Sequence, residues 1–202
     1  MTSSQYDFGG RLTEKFPGQI NVDITEVCNL ACIHCPHPEF KKSEHYSAKY
    51  LEPELNRRLV DEVGAHGAGF TQYIRYTSEG EPLIHPDAYD MLDYAVENSG
   101  VYVTLTTNGT IMVEKRIRKL LESGVHMIDI SMDAFRPETY AKIRVNGDLE
   151  RTRANVLALL GWIRESGART KVVVSFVEQD LNRGEATDFR SEERRVGKEC
   201  RL

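Results

Sequence analysis

Short strand-like runs alternate with helical stretches along most of this chain, and that alternation constrains the fold more than any other feature. Apolar and polar residues take turns at Gln19-Ile20-Asn21-Val22-Asp23-Ile24, the period of a half-buried strand. Phe70 to Tyr76, Val101 to Thr106, His126 to Ser131 and the β-branched Lys171 to Phe176 read as further strands. Apolar stripes at helical spacing separate them: Leu55, Leu59, Val60 and Val63 after Pro53; Ala88, Met91, Leu92, Ala95 and Val96 after His85-Pro86; Val113, Ile117, Leu120 and Leu121; and Val156, Leu157, Leu160 and Ile163 within Leu149 to Ser166. The Gly64 to Gly69 stretch, Gly100, Gly124 and Gly167 are placed to stop these helices.

Strands alternating with helices call for an α/β fold with a parallel sheet and right-handed crossovers, either wound on both faces or curled toward a barrel. At 202 residues the chain fits one such core. In sheets of both kinds the carboxyl ends of the strands bind ligands. The unusual polar residues fall there: Cys28, Cys32 and Cys35 after the first strand, Ser78 to Pro82 after the second, Thr107-Asn108-Gly109 after the third, Ser131 and Asp133 after the fourth.

The net charge of -5 provides no basic face for phosphates, so no nucleic-acid partner is expected. No apolar run approaches the roughly 18–20 residues of a membrane span, and MTSSQYDFGGRLTEKF lacks the features of a signal peptide. No membrane partner and a cytoplasmic location are the expectations.

Cys28, Cys32 and Cys35 are spaced C-x3-C-x2-C, with Cys200 the one other cysteine. In a reducing compartment such clusters serve as metal ligands or redox groups more often than as disulfides. Buried packing suits them poorly, because the loop also carries Asn29, His34, His37 and prolines. Zinc could recruit His34, His37 or His45, although structural zinc takes its ligands as two separated pairs. A ferredoxin closes each cluster with four thiolates. Three local thiolates leave one iron open, as a catalytic site requires. An enzyme, a zinc-stabilised binding module and an iron-sulfur electron carrier therefore all stand as readings.

C-x3-C-x2-C on the loop after the first strand resembles the defining motif of the radical S-adenosylmethionine (radical SAM) superfamily, and the resemblance spans residues 17 to about 182. It implies a partial TIM-like (β/α)6 barrel with about five strand-helix units present. It also implies a [4Fe-4S] cluster on Cys28, Cys32 and Cys35, S-adenosyl-L-methionine on the open iron, and a 5'-deoxyadenosyl radical that removes hydrogen from substrate. Gly80-Glu81-Pro82 resembles the family's GGEP motif, with Glu79 in place of the first glycine; the Gly80-Glu81 backbone is expected to hold the methionine amino group. Thr107-Asn108-Gly109 resembles its TNG, and Ser131-Met132-Asp133 its SLD, whose serine meets the methionine carboxylate or ribose. Arg144 matches an arginine near the carboxylate, and His34 stands where an aromatic residue commonly packs near adenine. The implied cofactor-binding set is His34, Gly80, Glu81, Pro82, Asn108, Ser131, Asp133 and Arg144; no residue acting on substrate is assigned. A flavodoxin- or ferredoxin-type external electron donor and a peptide or small-molecule substrate complete the expectation.

The layout from PGQINVDITEVCNLACIHCPHP through IDISMDAFRPETYAKIRVNGDLERTRANVLALL most resembles enzymes with a cysteine-rich C-terminal SPASM domain. Residues 1–16 read as an extension and 17–189 as an incomplete core. Residues 190–202, RSEERRVGKECRL, resemble a translated sequencing-library adapter and are expected to be foreign, which removes Cys200 from the ligands.

Overall fold

The structure is a computed structural model that describes residues 14–77 and 79–195. Apart from residues 14–16 and 190–195, the expected N-terminal extension and foreign tail lie outside the described residues, as does Ser78. The chain runs β1 (Gln19–Val22), α1 (His37–Phe40), α2 (Pro53–His66), β2 (Tyr73–Tyr76), a 3-10 turn (Pro82–Ile84), α3 (Ala88–Asn98), β3 (Tyr102–Thr107), α4 (Glu114–Glu122), β4 (Met127–Ser131), α5 (Pro137–Ile143), α6 (Leu149–Ser166), β5 (Lys171–Ser175) and α7 (Ala186–Arg195).

All five strands join one sheet in the order β1-β2-β3-β4-β5, each neighbouring pair parallel. A sheet wound on both faces reverses its strand order at a switch point. This one never reverses, so each right-handed crossover lays its helix on the same side and the sheet forms part of a barrel. Val22, Ile74, Tyr76, Val103, Leu105, Ile128, Ile130 and Val172 point to that side and share one core with Val60, Val63, Met91, Leu92, Ile117, Leu120, Leu159 and Ile163 of the helices. Full burial of each such side chain stabilises the fold by about 1.5–3 kcal/mol before entropy is counted.

The last strand-helix unit shows how local signals set the boundaries. Asp148 precedes α6 and its side chain accepts the Arg151 N–H, while Gly167 ends the helix at φ 69°. Leu149, Thr152, Val156, Leu159 and Ile163 form its buried stripe. Leu157, expected on that stripe, is 55% exposed, and Leu55 of α2 is 50% exposed. Both are apolar neighbours of core positions, one helical step around the axis. The helix expected from His85-Pro86 begins at Ala88 instead. His85 is buried before it, its Nε2 donating to the Leu51 carbonyl (2.9 Å) and its Nδ1 accepting the Asp87 N–H (3.0 Å). α5, with buried Thr139, Tyr140 and Ile143, was not expected and becomes important at the site.

Candidate active site

The cysteine loop leaves β1 and is pinned from the far side of the sheet. Ala31 N–H donates to the Val145 carbonyl and Ile33 N–H to the Ile143 carbonyl, both at 3.0 Å, so the end of α5 holds the loop as a neighbouring strand would. Cys35 N–H donates to the Cys32 carbonyl (3.1 Å). The Cys28 sulfur accepts the Leu30 N–H (3.5 Å) and the Cys35 sulfur accepts the His37 N–H (3.4 Å). Burial pushes the Cys28 thiol up to about 11, opposed by the Leu30 N–H and reinforced by Glu81 and the other two cysteines. Burial also raises Cys32, while the Arg144 guanidinium pulls it down. Thiols in this state keep their protons until a cation replaces them.

Beyond the loop, a cavity of about 320 Å³ is lined by Cys28, Cys32 and Cys35 together with His34, Gly80, Glu81, Pro82, Asn108, Ser131 and Arg144. Residues from the ends of β1, β2, β3 and β4 thus meet at one place.

Gly80 is a close-approach glycine: a Cβ there would lie 2.2 Å from the Thr25 carbonyl oxygen and 2.6 Å from that of Val27. Its neighbour Glu81 donates its N–H to Val27 (2.8 Å), tucking the turn under the cysteine loop. The Glu81 carboxylate is buried and accepts from the Thr107 hydroxyl (2.6 Å), the Asn108 N–H (2.7 Å) and the Leu83 N–H (3.2 Å). Burial raises its pKa and these hydrogen bonds resist the rise. Its side chain therefore ties the end of β2 to the end of β3, and its backbone is what remains to meet a ligand.

Asn108 reaches back to the cysteine loop, Nδ2 donating to Asn29 Oδ1 (2.9 Å), and Asn29 Nδ2 donates to Thr110 Oγ1 (2.8 Å). Thr110 closes the ring by donating its hydroxyl to Asn108 Oδ1 (2.7 Å). The sequence marks Asn29 only as a polar residue of the cysteine loop, and its position beside Cys28 is the signal it offers.

Of the expected cofactor-binding set, Asp133 alone does not line the cavity. It is fully buried, with Oδ2 accepting from Arg144 Nε (2.8 Å) and Nη2, and Oδ1 from the Val177 N–H (2.7 Å). It braces Arg144. Burial works against the Arg144 charge, but Asp133 and Cys32 outweigh it and hold its pKa above the ordinary value. His34 Nε2 lies 3.6 Å from the same carboxylate oxygen, and burial lowers its pKa against the pull of Asp133. Sequence reasoning also missed Asn182, whose Nδ2 donates to the Asp133 carbonyl (2.8 Å), and Glu185, discussed below.

His37 is buried with Nε2 on the Glu26 carbonyl (2.8 Å), which occupies one nitrogen a zinc site would use. Among the described residues no group of three His, Cys, Asp or Glu side chains could hold a single metal ion. The cysteines are arrayed around a cavity rather than focused on a point.

Comparison with known proteins agrees with this geometry. The chain is 32% identical over 144 residues to the AdoMet-dependent heme synthase of Methanosarcina barkeri, covering 71% of this chain and 39% of that protein. It is 32% identical over 147 residues to the probable GTP 3',8-cyclase of Methanocaldococcus jannaschii, covering 69% and 45%. It thus spans less than half the length of these curated relatives. Streptococcus suis SuiB bound to S-adenosylmethionine superposes with a TM-score of 0.70 at 14% identity, over 92% of this chain and 40% of SuiB, which shows a shared fold. A family model described as the Radical SAM superfamily matches residues 22–185, from the last residue of β1 past β5, and the chain belongs to that superfamily.

Proposed function

We propose that this chain is the catalytic core of an enzyme that reductively cleaves S-adenosylmethionine and uses the resulting radical to remove hydrogen from a peptide or small-molecule substrate. What carries the reading is the meeting of Cys28, Cys32 and Cys35 with the ends of the next three strands around one cavity. The donors suit an iron-sulfur cluster: three thiols around a cavity, two with sulfurs that accept backbone N–H groups, and no other cysteine among the described residues. Cys28, Cys32 and Cys35 would hold a [4Fe-4S] cluster, which would supply the one-electron chemistry for reductive cleavage of S-adenosylmethionine.

The chain's own residues bind and orient. The Gly80-Glu81 backbone suits the methionine amino group, with Pro82 shaping the turn. Ser131 would offer its hydroxyl and Arg144 its guanidinium to the carboxylate side, and His34 would take the adenine side. Asn108 fixes the β3 loop against the cysteine loop. An external donor of the flavodoxin or ferredoxin type would deliver the electron in the cytoplasm. SuiB, also solved with its precursor peptide SuiA, is consistent with a peptide substrate; the cyclase and heme synthase names support small molecules.

Electron paramagnetic resonance of the anaerobically reconstituted, dithionite-reduced protein tests this. A [4Fe-4S]+ signal that changes on adding S-adenosylmethionine is expected, and Cys32→Ala should abolish 5'-deoxyadenosine formation. A signal indifferent to S-adenosylmethionine would favour an electron carrier, and a colourless zinc-loaded protein would end the radical reading.

A further inference from the structure

The sheet's other face, turned away from the helices, is largely polar, with Met127 and Val173 as its apolar members on β4 and β5. In register lie Asn21, Arg75 and Thr104, and in the next row Thr106 and Asp129. Closed barrels commonly fill this face with layers of Val, Ile and Leu. Here an ion pair crosses it instead: Arg75 Nη2 donates to Asp129 Oδ2 (3.0 Å) and Nε to the Thr106 hydroxyl (2.9 Å), while the Ser175 hydroxyl donates to Asp129 Oδ1. Thr104 is 3% exposed, and its hydroxyl has no hydrogen-bond partner among the described residues. A face selected for stability alone would not strand a buried hydroxyl. Thr106 belongs at once to this network and to the cavity that the cysteines line.

The geometry points to Arg75 and Asp129 as the pair that recognises substrate, through an uncharged amide edge, a carbonyl beside an N–H. The Arg75 side chain is 37% exposed and its Nη1 has no partner among the described residues, so it offers a donor. Each Asp129 oxygen receives one protein donor and retains a lone pair, so it offers an acceptor. Asp129 already neutralises the guanidinium, and an incoming carboxylate or phosphate would meet its charge. A neighbouring donor and acceptor with no net charge complement the C=O and N–H of an amide. Peptide bonds and the lactam edge of guanine both present that chemistry. The inference relies on the proposed function for the reaction and not for the binding.

Saturation-transfer NMR on the full chain, with N-acetylalanine N-methylamide, guanosine, acetate and inorganic phosphate as separate probes, tests it. One or both amide probes should bind, and the anions should not. Binding of the diamide alone assigns a peptide source, and binding of guanosine alone a nucleobase. Arg75→Met combined with Asp129→Leu should weaken amide binding by about a hundredfold or more, the loss of two hydrogen bonds to charged groups. Asp129→Asn, which keeps size but replaces one acceptor oxygen with a donor, should weaken it several-fold and serves if the double variant does not fold. Failure of both amide probes, equal binding by the variants, or tighter binding of acetate or phosphate overturns the assignment. The S-adenosylmethionine-induced resonance change, read on the same preparations, reports the proposed function separately: its absence beside intact amide binding would refute the cluster reading alone.

Discussion

Asp133 sits at φ 50°, in the left-handed region, with one carboxylate oxygen on Arg144 and the other on the Val177 N–H. Aspartate and asparagine tolerate that region better than most residues, so Asp133→Asn tests the charge with little change in backbone strain. The variant leaves the buried Arg144 charge uncompensated and turns an amide or a carbonyl toward it. A loss of about 3–5 kcal/mol in unfolding free energy is expected from urea titration. Adding Arg144→Met should recover much of that stability while S-adenosylmethionine binding stays weak, because the guanidinium that lines the cavity is gone. A single variant as stable as the parent would show that the pair does not brace the site. Sequence resemblance marked Asp133 as a cofactor contact because motif position carries no information about which way a side chain turns.

At the scale of elements, α5 depends on a partner from the far end of the chain. Its preceding residue Arg136 provides no side-chain cap, and the Glu185 carboxylate supplies one, accepting the Phe135 N–H (2.7 Å), the Arg136 N–H (3.0 Å) and the Thr139 hydroxyl (2.5 Å). Because the end of α5 holds Ala31 and Ile33, this cap bears on the placement of the cysteines. Burial alone would raise the Glu185 pKa, but the hydrogen bonds from Thr139, Arg136 and Phe135 outweigh it and lower the value. A depressed carboxylate stabilises the fold above its unfolded pKa, and that contribution is lost as pH falls through the folded pKa. Glu185→Ala should therefore cost about 1–2 kcal/mol at pH 7, and the difference from the parent should shrink in acid. Denaturation curves across that range check it; a penalty independent of pH would mean that packing, not charge, is lost. The same contrast explains what was legible. The strands and α6 carry their own periodicity and caps, whereas α5 is seven residues long and its cap lies 50 residues from Phe135. Cys28, Cys32, Cys35 and Gly80-Glu81-Pro82 could be found as local patterns; the Asn29–Asn108 and Glu185–Phe135 contacts arise only when the sheet brings distant segments together.

At the scale of the molecule, strands laid down in chain order leave β1 and β5 each with a single neighbour in the described sheet. An unpaired edge offers backbone donors and acceptors to other chains. Beside β5, Val177 and Leu181 are 53% and 51% exposed, and Ile33 of the cysteine loop is 53% exposed, which leaves apolar surface open on these segments. The part of the curated relatives that this chain matches covers 39% and 45% of two of them. We propose that residues 190–202 are foreign and that the parent protein continues with a segment that pairs with β5 and covers this surface. Genomic sequence across codon 190 that returned RSEERRVGKECRL followed by a stop would refute the first part. If the sequence instead continues into an apolar strand, a chain carrying that continuation in place of residues 190–202 should melt several degrees higher, remain unaggregated at concentrations where the 202-residue chain associates, and retain more iron per chain after reconstitution. Equal melting temperatures and iron contents would mean that the five-stranded core is self-sufficient and that the exposed apolar surface serves another partner.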